Sequence, residues 1–119
     1  MVLGLLFASH ALKAQCPPVY HLNQQVIDLE KGVALSVYQQ MEAVALSFTA
    51  TNVNTAYDSL VLYLARGNKP VVKQVVALEK EKSMDISSLL KQARSGDRLV
   101  MEIYPKKKKE SLFTAVALK

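Results

Sequence analysis

Two histidines, His10 and His21, and one cysteine, Cys16, are all the chain offers to nucleophilic catalysis or transition-metal binding. A Ser-His-Asp or Cys-His relay needs an imidazole within hydrogen-bond reach of both a nucleophile and an orienting carboxylate. His10 falls inside an apolar leader, so His21 would have to serve alone, close to the stiff extended start at Pro17 and Pro18. His21 reads better as a surface residue of a first strand. Structural zinc requires four ligands, and a lone thiol without a CxxC or HxxxH pair cannot supply them. The sequence therefore predicts no catalytic group, no metal and no cofactor. One cysteine also excludes an intrachain disulfide.

Carboxylate pairs could do general acid–base work, but each acid has a structural role to fill. Asp28 and Glu30 flank a turn or share one strand face. Glu79 and Glu81 alternate with Lys80 and Lys82 in a charge-balanced connection. Asp85 stands where it can cap a helix, and Asp97 follows Gly96, where its carboxylate can bind turn amides. Arg98 can cover a strand edge. "RSGDR" is too short to cradle a phosphate.

The residues left as binding candidates are Tyr63, Tyr104 and the run Lys106, Lys107, Lys108 and Lys109. The net charge of +5 and a pI near 9.4 invite an acidic partner. The excess is local, however. Of fifteen Lys and Arg, setting aside those four lysines and Lys13 leaves ten against ten Asp and Glu. A nucleic-acid binder spreads its basic residues over a face and interleaves aromatics, so nucleic acid is not the expected partner. An anionic membrane surface fits a lysine cluster better. The plainer reading makes "KKKKE" the solvated tip of a last hairpin.

Period-two alternation dominates the elements that carry these residues. In "EAVALSFTATN", Val44, Leu46, Phe48 and Ala50 alternate with smaller polar residues, which predicts a half-buried strand. Leu60, Leu62 and Leu64 share one strand face, "RGNKP" turns the chain, and the β-branched "VVKQVVAL" returns it. "DRLVMEIYP" puts Leu99, Met101 and Ile103 opposite Val100, Glu102 and Tyr104, and "SLFTAVALK" alternates again. Tyr63 and Tyr104 thus face away from the leucine stripes of their own strands. Ile86, Leu89, Leu90 and Ala93 break the alternation at helical spacing, predicting one short helix of about ten residues stopped by Gly96. "VYHLNQQVIDLEKGVALSVYQQ" is expected to give two shorter strands around a turn at Lys31 and Gly32.

At 119 residues, 50% hydrophobic and 21% charged, the chain is sized and composed for one folded domain. The expected fold is all-β: an immunoglobulin-like β-sandwich of six or seven strands with one short helix. The Cys–Trp–Cys signature of antibody domains is missing. Residues 2–12 form an apolar stretch of signal-peptide length, too short to span a bilayer, and small Ala14 precedes Gln15. No Lys or Arg precedes the stretch and Leu12 is large for its place, so a buried N-terminal element is the alternative. The expectation is a signal peptide over 1–15, a sandwich domain over 16–119, and a periplasmic or secreted location. Lipidation of Cys16 would want Leu three residues before it and a small residue directly before; Lys13 and Gln15 stand there, so a free thiol is preferred.

The order hairpin, short helix and "SGDRLVMEI" strand resembles the C-terminal periplasmic domain of the gliding-motility and type IX secretion protein GldM. "DISSLLKQARSGDRLVMEI", residues 85–103, carries the likeness, with looser similarity back to "LSFTAT" at Leu46. The likeness covers about half of the chain, and no binding residue, membrane anchor or motor role is carried over by it. It implies an exported β-sandwich used for protein contact. The expected function is accordingly non-enzymatic: a binding or accessory module for an envelope protein. The alternative is a polyanion or membrane-surface binder acting through the lysine run.

Overall fold

The computed structural model of the chain describes residues 17–50, 56–78, 83–106 and 110–119. The expected leader over 1–15, Cys16, the 79–82 connection, and Lys107, Lys108 and Lys109 lie outside the described residues. The elements run β1 (Val19–Leu22), β2 (Gln25–Val26), α1 (Leu35–Gln39), β3 (Ala45–Thr49), β4 (Tyr57–Arg66), β5 (Lys69–Ala77), β6 (Ser83–Asp85), α2 (Ser87–Lys91), β7 (Arg98–Pro105) and β8 (Leu112–Ala117).

The strands form two antiparallel four-stranded sheets, ordered β2-β1-β3-β6 and β5-β4-β7-β8. In the immunoglobulin-like plan, β1, β3 and β6 take the places of strands A, B and E. β5, β4, β7 and β8 take those of C′, C, F and G. The all-β sandwich expected from the alternation is what the chain forms. It has eight strands and two helices among the described residues, against the six or seven strands and one helix expected.

The extra strand is β6, directly before α2, and the extra helix is α1, in the stretch between Val19 and Gln40 where two strands were expected around a different turn. A turn at Asn23 and Gln24 joins β1 to β2, with positive φ at both residues (49° and 71°), the conformation of a two-residue hairpin turn. Asn23 tolerates that geometry and is anchored in it. Its Oδ1 accepts the Ala45 N–H at 2.8 Å, and its own N–H donates to the Ala45 carbonyl at 2.8 Å. The second strand of the pair therefore ends before Lys31 and Gly32 rather than turning there. "LSVYQ" forms α1, whose Gln39 donates from Nε2 to the carbonyls of Leu90 and Ala93, each at 3.0 Å. The Leu90 carbonyl also accepts the Ala93 N–H at 3.1 Å, so Gln39 adds a second bond there and ties the segment after α2 to α1 through the Ala93 carbonyl.

The leucine stripes face inward as the alternation predicted. Leu46, Leu60, Leu62, Leu64, Leu99, Met101 and Ile103 are all fully buried between the sheets. Ile86, Leu89, Leu90 and Ala93 plug the same core from α2, although the helix spans five residues, not ten. Asp85 accepts the Ser87 N–H at 2.9 Å, the capping role read from its position. Gly96 takes a positive φ of 98°, but not as the helix stop: the helix ends at Lys91 with Gln92 as its cap, and the glycine instead serves the turn that the Asp97 N–H closes on the Arg94 carbonyl at 2.9 Å. Phe48 of the first sheet meets Tyr57 of the second edge-on, with ring centroids 5.6 Å apart, and Tyr20 packs on Phe48 from its other side. Tyr20 is buried together with its hydroxyl, which finds no partner among the described residues. Burial, reinforced by nearby Tyr57, raises its pKa above the usual phenol value.

Candidate functional site

With the leucines turned inward, the opposite face of the β5-β4-β7-β8 sheet is left to solvent, and its composition is unusual. The registers place Val75, Val61, Glu102 and Phe113 in one row across the four strands. Lys73, Tyr63, Val100 and Ala115 form the next row. A face turned to water would ordinarily be polar on such alternating strands. Here Val75 is 64% exposed and Phe113 56%, while Val100 lies almost wholly beneath its neighbours. The surface is an open groove of about 360 Å³ lined by Val61, Tyr63, Val100 and Phe113, with Lys73 and Arg98 at its margins.

The polar groups of this face are tied to the protein itself. Glu102 accepts the Tyr104 hydroxyl at 3.0 Å on one oxygen and the Ser111 hydroxyl at 3.0 Å on the other. The hydrogen bond to the carboxylate raises the Tyr104 pKa, because ionisation would set a phenolate against Glu102. Arg98 donates from Nη2 to the Gly67 carbonyl at 3.1 Å. What remains to meet a partner along the groove is apolar surface, the ammonium groups of Lys69 and Lys73, and the Asn68 side chain at the β4–β5 turn.

The two tyrosines singled out from sequence do lie on this face, on neighbouring strands. They are not side by side. Tyr63 opposes Val100 and Tyr104 opposes Ser59, four residues apart along β4 and so roughly 13 Å. Tyr104 is further occupied by Glu102, so Tyr63 is the tyrosine that borders the groove. Lys106 is exposed directly after β7, where its N–H donates to the Ala56 carbonyl at 3.0 Å. It stands at the end of the sandwich, away from the groove lining. Lys107, Lys108 and Lys109 are outside the described residues.

Phe113, Val61, Val75 and Val100 escaped the sequence reading. The alternation of "SLFTAVALK" already put Leu112 and Phe113 on opposite faces, so one of two large apolar residues had to be outside. Similarly, "VVKQVV" presents valines to both sides of its strand.

The acids behave structurally. The Asp28 carboxylate accepts the N–H groups of Glu30 and Lys31 at 2.9 and 3.0 Å, closing a turn, and these bonds hold its pKa below the usual value. Asp85 is held low mainly by the Ser87 amide. Asp97 binds the turn amide of Arg94 at 2.9 Å, as its position suggested, and also the side chain of Arg66. His21 lies half-exposed on β1 opposite Ser47 and Val26. Among the described residues no group of three His, Cys, Asp or Glu could hold a metal ion. No described helix is long and apolar enough to cross a membrane. No family model, curated protein or solved structure matches the chain.

Proposed function

We propose that this protein is a non-enzymatic binding module that receives an envelope protein on the outer face of its β5-β4-β7-β8 sheet. The observation that carries the reading is the apolar row in which exposed Val75 and Phe113 flank half-buried Val61, on a face whose carboxylate is already satisfied internally. Desolvating such a face costs little, and an exposed aromatic beside a groove is the kind of anchor that dominates interface energy. An apolar leader before the domain, and the likeness to the GldM periplasmic domain, support an encounter in the periplasm or outside the cell. Lys106 and the lysines that follow it would act at a distance, speeding encounter with an acidic partner more than fixing affinity.

Partner capture from envelope fractions, compared between the parent protein and two variants, tests this reading. Phe113→Ser removes an anchor while leaving the core untouched, and should weaken capture on the order of 30-fold, the scale of a hot-spot residue. Changing Lys106, Lys107, Lys108 and Lys109 to Gln should lower only the salt-sensitive part. The opposite pattern, with Phe113→Ser silent and the lysine variant inactive, would move the protein to the alternative class of polyanion or anionic-membrane binders.

A further inference from the structure

β5 is the long free edge of the outer sheet among the described residues. The other sheet ends in strands of two and three residues, β2 and β6. The β8 edge is partly covered, since Val33 donates to the Ala117 carbonyl at 2.8 Å and receives the Lys119 N–H at 2.8 Å. By contrast, β5 runs nine residues with Val71 and Val75 exposed. Lys69, Pro70 and the bulge beside Val71 blunt the start of this edge, as charge, proline and bulges ordinarily do, and leave residues 72–77, with Lys73 their one charge, open to pairing.

The direction of its hydrogen bonds is fixed by the register. Leu78 donates to the Asp58 carbonyl at 3.0 Å, so that pair is hydrogen-bonded. The alternation of an antiparallel ladder then points Val76, Gln74 and Val72 at β4. Lys73, Val75 and Ala77 consequently turn their N–H and C=O groups outward. The bulge between Leu64 and Ala65 leaves Val71 as the extra residue of β5 and closes the open run at that end, just after Pro70.

We propose that a second copy of this chain fills this edge, two β5 strands pairing antiparallel about a two-fold axis at Gln74. Only odd-numbered residues can exchange hydrogen bonds across the edge, which restricts the choice of centre. A centre at Lys73 sets that ammonium directly against itself, and like charges directly opposite are unfavourable. A centre at Gln74 sets Lys73 against Val75 of the second copy, and Val75 against its Lys73. The inward row becomes Val72 on Val76, Gln74 on Gln74, and Val76 on Val72, so a polar residue at an inward edge position meets its own amide. The lysine stem covers the exposed valine opposite it. Pro70, which lacks a donor, lies beyond the bulge, outside the run that pairs, and is not asked to supply one. The result is a continuous eight-stranded sheet that carries two outer-face grooves on one side and would engage partners bivalently. The pairing is independent of what the groove binds.

The register is tested by charge at one exposed position, in the full chain with Cys16→Ser. Sedimentation equilibrium should show a concentration-dependent doubling of the 13.2 kDa mass. Val75→Glu sets the new carboxylate against Lys73 of the other copy on both sides of the axis, and should tighten the dimer roughly three- to tenfold. Val75→Lys sets lysine against lysine and should dissociate it by at least as much. In addition, Gln74→Cys should crosslink symmetrically on oxidation, since non-hydrogen-bonded pairs bring Cα atoms to about 4.5 Å. A monomer at every concentration overturns the proposal. So does a dimer indifferent to the sign of the charge at position 75, which would mean pairing in another register or through another surface.

Discussion

Asp97 grips the guanidinium of Arg66 with both oxygens, Nε to Oδ1 and Nη2 to Oδ2, each at 2.9 Å. The same carboxylate accepts the Arg94 N–H at 2.9 Å, and the Asp97 carbonyl accepts the Leu118 N–H at 2.9 Å. One residue thereby joins the end of β4, the turn after α2 and the end of β8. These segments are far apart in sequence and near one another only in the fold.

Removing that carboxylate should cost measurable stability. The Asp97 side chain is 3% exposed and that of Arg66 36%, so the pair is only partly shielded from water and falls short of a fully buried one. Asp97→Ala should lose about 2 kcal/mol in urea unfolding, the scale of breaking hydrogen bonds to a charged group. The loss should also appear as acid sensitivity. The Arg66 hydrogen bonds, with the Arg94 amide and nearby charge, outweigh burial and hold the Asp97 pKa below the usual carboxylate value. Its contribution is complete above the unfolded-state pKa of about 3.9, and fades as pH falls from there through the folded value. Asp97→Asn should therefore flatten the decline of stability below pH of about 4, and a slope identical to the parent's would show the pair contributes nothing.

How much of this could be read beforehand depended on whether a residue's role is local. The strand faces were legible because alternation is a property of consecutive residues: Leu60, Leu62 and Leu64 had to share a side, as did Leu99, Met101 and Ile103. Asp85 was legible because a cap acts within a few residues, whereas Gly96, expected to stop the helix, turns the chain between Arg94 and Asp97 after the helix has already ended at Lys91. Arg66 was not, since nothing near it in sequence announces Asp97. The β1–β2 turn was missed because its positive-φ positions carry Asn and Gln instead of glycine. The groove was half legible. The phase of Tyr63 and Tyr104 was right, but which polar groups would already be satisfied depends on Ser111 and Glu102 meeting across β7 and β8.

Two backbone substitutions should move stability in opposite directions. Gly32 has φ of 83°, and a Cβ there would stand 2.8 Å from the Ala117 carbonyl oxygen. That oxygen is backbone and already accepts the Val33 N–H, so it cannot easily retreat. Gly32→Ala should destabilise by more than the left-handed penalty of about 1–2 kcal/mol and loosen the Val33–Leu118 bridge. Gln24 bears that conformational penalty already, at φ of 71° with an exposed side chain. Gln24→Gly should therefore stabilise, by up to about 1 kcal/mol once glycine's greater unfolded freedom is subtracted. Thermal unfolding of the pair checks both signs at once.

The lock on the outer face can be read through Tyr104. Its hydroxyl donates to Glu102, and losing the proton would place two negative charges in contact, so its pKa is raised. The Ser111 hydroxyl sits on the other oxygen of the same carboxylate, which leaves Glu102 little freedom to turn away. Glu102→Gln keeps an oxygen for the tyrosine to address but removes the charge. Tyr104 should then ionise at lower pH, while Tyr57, whose pKa is raised by burial, should keep its value. Site-resolved NMR titration of the tyrosine rings distinguishes the two. If the groove is a docking face that needs its carboxylate neutralised from within, the same variant should retain partner capture, whereas Tyr104→Phe, which frees one Glu102 oxygen toward water, should weaken it.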